Sequence, residues 1–175
     1  MAKTRQLLLL RHAKSSWDDA AFADFDRPLA QRGEKSAPMM GAEIAGRGWL
    51  PDLVLVSPAL RTLQTWQLAS AAWPRPLPPA DFPHGLYEAS ADAVLAEAQA
   101  APASVRTLLV VGHNPGLEDF ARELAGHGSD GQALRSMTEK FPTAALARFE
   151  FEGAWDGLQF GSARLTHFLK PRDLG

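Results

Sequence analysis

The chain has 175 residues, enough for a substantial core in one domain spanning 1–175, and its 46% apolar and 22% charged residues are typical of a soluble globular protein. A formal net charge of −2 gives no reason to expect nucleic acid as a partner, and the lack of cysteine removes disulfides, thiolate catalysis and cysteine-bound zinc. Lys3 and Arg5 precede four leucines, but that run is shorter than the roughly 7–15 residues of a secretory h-region, and no stretch approaches the roughly 18 of a membrane span. The expectation is a cytoplasmic protein without a membrane partner.

Leu7, Leu8, Leu9 and Leu10 read as a buried strand that ends on Arg11 and His12. In an open α/β sheet, ligands bind beyond the carboxyl tips of the strands, which is where this pair is delivered. Residues 15–33 show no sustained period, and Trp17, Phe22 and Phe25 are expected to pin that loop to the body. From about residue 34 to 47, Ala37, Met40 and Ile44 form a helical stripe ended by Gly46 and Gly48, into which Pro38 fits only if it lies in the first turn. Residues 53–56 read as the second strand. Ser57 and Pro58 then suit the N-cap and first position of a helix that carries Arg61 in its first turns and ends near residue 72.

The proline-rich residues 74–83 read as an irregular connection, and Ser90 as the cap of an alanine-rich helix stopped by Pro102. The third strand, 107–111, ends at Gly112-His113-Asn114-Pro115, with Asn114 as N-cap, Pro115 as first helical residue, and Glu118 and Asp119 favouring the helix dipole. Leu117, Phe120 and Leu124 make that helix's buried stripe, and the glycine-rich residues 126–138 read as a mobile loop. Ala147, Phe149 and Phe151 alternate with Arg148 and Glu150 in a strand with one wetter face, which residues 164–169 can pair with. Three strand–helix units followed by strands imply an α/β three-layer doubly wound sandwich. Its central sheet is mostly parallel, with helices on both faces and an antiparallel edge strand.

This order puts Arg11, His12, Arg61 and His113 on one rim of the sheet beside two helix N-termini, a setting suited to a phosphate dianion. The carrying motifs are Leu10-Arg11-His12-Ala13-Lys14-Ser15-Ser16-Trp17, Arg27-Pro28-Leu29 with Arg32-Gly33, and Ser57-Pro58 with Arg61-Thr62 and Gln64-Thr65. They continue with Leu86-Tyr87-Glu88, Gly112-His113-Asn114-Pro115 and Lys140-Phe141-Pro142-Thr143. In that order the chain resembles the histidine phosphatase superfamily, with its phosphoglycerate mutase-like fold, and within it the SixA-type phosphohistidine phosphatases. The resemblance implies that His12 is a nucleophile, phosphorylated and then hydrolysed, and that Arg11, Arg61 and a protonated His113 complete the phosphate pocket. It places Glu88 at the acid position of the mutase-like branches, as general acid or as a positioning or water-activating residue. The acid-phosphatase branch has aspartate after the second histidine, where this chain has Asn114. Ala13 stands where much of the superfamily has glycine.

Taken singly, each arginine could be a surface ion-pair partner and each histidine a turn residue; His84, His127 and His167 have no motif around them and read as surface or structural. No HExxH and no short histidine spacing points to zinc, and neither metal nor cofactor is called for. The function expected is a phosphatase acting through phosphohistidine at His12 on a phosphohistidine protein. A broad phosphomonoesterase is the alternative, and a non-catalytic phospho-ligand module a further one. The short chain leaves no room for the insertions that build a phosphoglycerate pocket in the mutases.

Overall fold

The computed structural model describes residues 3–17 and 22–174. Within them β1 (Thr4–Arg11) lies inside a six-stranded sheet, and the solvent sees none of its four leucines. Side chains alternate across a strand, so Leu7 and Leu9 enter one core while Leu8 and Leu10 enter the other. Each such burial is worth about 2 kcal/mol.

The remaining strands are β2 (Leu53–Val56), β3 (Ala80–Asp81), β4 (Thr107–Gly112), β5 (Leu146–Glu152) and β6 (Arg164–Leu169), in the order β3-β2-β4-β1-β5-β6. The first four neighbours run parallel, and β5 is antiparallel to both β1 and the edge strand β6. The antiparallel pairing therefore falls at the expected end of the sheet, with the reversed strand one place in from the edge. β3 hides inside the proline-rich connection, being too short to show a period.

Helices α1 (Gln31–Gly46) and α2 (Leu60–Ser70) cover the face of Leu8 and Leu10 through Met40, Ile44 and Trp66. Helices α3 (Ala91–Gln99), α4 (Gly116–Leu124) and α5 (Gly131–Glu139) cover the other through Val94, Ala98, Leu117, Phe120, Leu124 and Met137. Since β1 and β4 are neighbours and the helices that follow them go to opposite faces, a crevice opens between their carboxyl ends, the switch point of a doubly wound sheet.

Several local readings change. α1 begins at Gln31, so Pro38 sits in its interior, on the exposed side where the unpaired carbonyl meets water. α2 begins at Leu60 with Ala59 at its cap, because the Ser57 hydroxyl is engaged elsewhere. Asn114 likewise does not cap α4, whose N-cap is Pro115. Ser90 does cap α3, accepting from the Ala93 amide at 3.2 Å. The expected loop at 126–138 contains α5: Asp130 caps it through the Ala133 amide at 2.9 Å, and Ala133 and Met137, one turn apart, are buried. Trp17 and Phe22 do not enter the core, being 71% and 47% exposed, although Arg27 stacks on the Trp17 ring. Phe25 pins the loop, packing edge-on against Tyr87.

Candidate active site

Strand register brings the predicted residues together. Leu10 and Val56 both pair with Val111, so Arg11, Ser57 and Gly112 emerge abreast, and the His12 amide donates to the Gly112 carbonyl at 3.0 Å. Arg11, His12, Arg61, Glu88 and His113 line one cleft of about 440 Å³. The His12 and His113 rings lie 5.4 Å apart. Glycine 33 matters to this arrangement: a Cβ there would stand 2.2 Å from the Lys14 carbonyl oxygen, so its absence lets α1 rest on the backbone just after His12.

His12 is 7% exposed, and its Nδ1 lies 2.7 Å from the Ala13 carbonyl oxygen. A carbonyl only accepts, so Nδ1 carries the hydrogen and Nε2 keeps its lone pair. Burial, then the nearby His113 and arginine charges, push the imidazole down to about 3, so it is neutral at physiological pH. The Ala13 amide is fixed by Thr65 Oγ1 at 3.0 Å, which itself donates to the Arg61 carbonyl at 2.7 Å, tying the segment after β1 to α2. On the other side, the Ala144 amide donates to the Arg11 and His12 carbonyls.

Burial, followed by the charge of Arg61, lowers His113 to about 4. Burial and the arginines thus favour the neutral ring at physiological pH over the protonated form expected from the sequence. Its Nε2 is 2.7 Å from Ser57 Oγ, which is where that hydroxyl goes instead of capping α2. Arg11 donates through Nη1 to the Phe141 carbonyl at 3.0 Å, and Asn114 Nδ2 donates to the same oxygen at 3.0 Å. Burial lowers the Arg11 guanidinium from its ordinary value. Glu88 is exposed at the cleft wall with a left-handed φ of 55°, an uncommon backbone for this residue type.

The sequence reading passed over Asp24, although it organises one wall. Arg61 donates through Nη1 to the Asp24 carbonyl at 2.7 Å and through Nη2 to its Oδ2 at 3.1 Å. Tyr87 donates to the same Oδ2 at 2.6 Å, and Arg27 to Oδ1 at 3.1 Å. The Tyr87 hydrogen bond, then the arginines, pull Asp24 down to about 2, and the same bond raises Tyr87 to about 12. Arg27, 7% exposed, also donates to Ser15 Oγ at 2.7 Å and stacks on Trp17. Arg27 and Tyr87 lie within motifs of the family resemblance, but nothing periodic marks Asp24, which reaches its partners from a short 3-10 turn at Asp24–Asp26.

The two depressed imidazoles fix a pH dependence. Below their ordinary 6.5, the unfolded chain binds protons that the folded protein refuses, so stability present above pH 6.5 is lost as pH falls towards about 4 and about 3. Asp24 acts lower, between 3.8 and about 2. Thermal melts between pH 7 and pH 4 are expected to show a falling Tm, with a shallower fall in His113→Ala; parallel curves would contradict the assignment.

Chemically, three buried nitrogens, Arg11 Nε, Arg61 Nε and His113 Nδ1, have no hydrogen-bond partner among the described residues. Buried donors are normally paired, so this cluster beside a neutral imidazole suits an incoming tetrahedral anion. The chain is also similar to known proteins. An uncharacterised protein of Mycobacterium tuberculosis (strain H37Rv) is 38% identical over 164 residues, 93% of this chain and 100% of the relative. A solved structure provisionally named phosphohistidine phosphatase SixA, from Nakamurella multipartitia, is 31% identical with TM-score 0.84, covering 97% of this chain and 98% of that one. Another so named, from Agrobacterium tumefaciens, is 30% identical with TM-score 0.80, covering 95% and 98%. The model of the histidine phosphatase superfamily (branch 1) matches residues 7–94, from the leucines of β1 to the middle of α3, and with these relatives it shows that the chain belongs to that family.

Proposed function

We propose that this chain is a phosphatase that works through a phosphohistidine on His12 and takes protein phosphohistidine as its substrate. The observation that carries the reading is the cluster of unpartnered Arg11, Arg61 and His113 nitrogens around a His12 whose Nε2 keeps its lone pair. In the first step Nε2 attacks phosphorus while the bond from phosphorus to the leaving imidazole breaks, the bond pair returning to that nitrogen and the imidazole departing neutral because its other ring nitrogen already carries a proton. Water then attacks the phosphoryl group on Nε2, which releases inorganic phosphate and restores neutral His12. The two guanidinium groups and the neutral His113 donor counter the charge on the equatorial oxygens, the main source of acceleration in phosphoryl transfer.

The substrate class is supported by leaving-group chemistry and by the phosphohistidine phosphatase name of the two solved relatives. An imidazole leaves with a conjugate-acid pKa of about 6.5, whereas an alkoxide needs a proton supplied. Glu88 on the cleft wall is the observation that favours the second reading, a phosphomonoesterase with Glu88 as general acid. Side-by-side assays on a phosphohistidine protein, free phosphohistidine and a phosphomonoester panel decide between them. The protein substrate is expected to give the highest kcat/KM. Glu88→Gln is expected to cost about 10²-fold on phosphomonoesters and little on phosphohistidine. Equal losses would make Glu88 essential to both, and no hydrolysis of any substrate would leave a binding module. A cytoplasmic location belongs to the same reading and is checked by fractionation.

A further inference from the structure

A second groove adjoins the cleft and shares Lys14 and Thr143 with it. Its walls carry four cations, Lys14, Arg32, Lys170 and Arg172, and no carboxylate. They come from three distant parts of the chain: the segment after β1, the first turn of α1, and the tail after β6. The tail is held by a 3-10 turn at Pro171–Asp173 and by Leu174, which packs against the α1–α2 core. Lys14, Arg32 and Arg172 are exposed and Lys170 is half-buried, and none of the four forms an ion pair with the described residues. Nearby Asp173 faces a different groove, with Asp130 and His167.

Gathering four cations with no ion-pair partner among the described residues costs mutual repulsion, and in a chain of net charge −2 it creates a local positive field that composition conceals. Lys14 and Thr143 line both depressions, so residues flanking a phosphohistidine in the cleft have a route into the groove across that saddle. We propose that this groove docks acidic residues flanking the phosphohistidine of a protein substrate, so that the partner is a phosphoprotein with an acidic surface around its modified histidine. This rests on the phosphohistidine reading above. The partner's charge governs encounter and KM, while the chemistry stays with the cleft.

The test uses three chemically phosphorylated histidine peptides, flanked respectively by aspartate and glutamate, by alanine, and by lysine. The wild type is expected to prefer the acidic peptide over the alanine one on the order of tenfold in kcat/KM, what three exposed ion pairs supply together. The preference should lie in KM and fade as salt is raised from about 0.05 M to about 0.5 M. Arg32→Glu with Arg172→Glu should abolish it while leaving hydrolysis of the alanine peptide unchanged, and the milder Arg32→Gln with Arg172→Gln should reduce it. Equal rates on the three peptides, or a preference indifferent to salt and to both variants, would overturn the docking proposal. A better response to a small bisphosphate than to any peptide would overturn it too. Failure to hydrolyse even the alanine peptide would instead overturn the phosphohistidine reading.

Discussion

His12→Ala is expected to lower turnover by about 10⁴-fold or more on every phosphorylated substrate, since removing a nucleophile abolishes the covalent route altogether. Rapid quenching of wild type with labelled substrate should trap an acid-labile phospho-enzyme that is absent from the variant. The physical basis is specific. Nδ1 is committed to the Ala13 carbonyl at 2.7 Å and burial keeps the ring neutral, so Nε2 keeps the lone pair that attack requires without a separate general base. Nearby His113 does not substitute for it: as the donor of this reading its Nδ1 carries the hydrogen, and its Nε2 is occupied by Ser57 at 2.7 Å. The variant should still fold at pH 7, because β1 is anchored by the leucines and the segment after it by Thr65 and Ala144, all independent of the ring. Retained turnover in folded His12→Ala would sink the mechanism.

Arg61→Ala is expected to cost about 10²- to 10³-fold in kcat, the usual loss when one preorganised donor to a developing charge is removed. Inhibition by vanadate, which takes the five-coordinate shape of the transferring phosphoryl group, should weaken in parallel. Arg61→Lys should recover little. The ammonium restores a point charge but cannot hold the Asp24 carbonyl and carboxylate together as Nη1 and Nη2 do at 2.7 and 3.1 Å while presenting Nε. Global stability should change less than activity, because Asp24 keeps its bonds from Tyr87 and Arg27 and its side chain is 47% exposed. A variant whose kcat and vanadate affinity match wild type would remove Arg61 from the phosphate pocket.

Much of the fold was legible because its signals are local. β2 and β6 follow short apolar or alternating runs whose ends coincide with the structure, and the leucines of β1 announced a strand buried on both faces. Legibility failed where a polar side chain had two competing uses. Ser57 and Asn114 have the chemistry of helix caps, yet the fold spends them on His113 and on the Phe141 carbonyl. It failed again at α5, whose glycine-rich approach masks a cap and only two fully buried positions.

The sequence by itself determined which chemistry was available: a histidine and an arginine at the end of a buried strand, a second arginine past the next strand and a second histidine past the third. Those are covalent facts of order, and strand-tip positions follow from hydrophobic runs. Only the tertiary structure decided their protonation, tautomer and partners, because burial and opposing charge depend on residues remote in the chain. Asp24 meets Arg61 and Tyr87 across 37 and 63 positions, and Lys14, Arg32, Lys170 and Arg172 become one groove only when the tail docks beside α1. Desolvation and Coulomb interactions act through space, so no reading along the chain contains them.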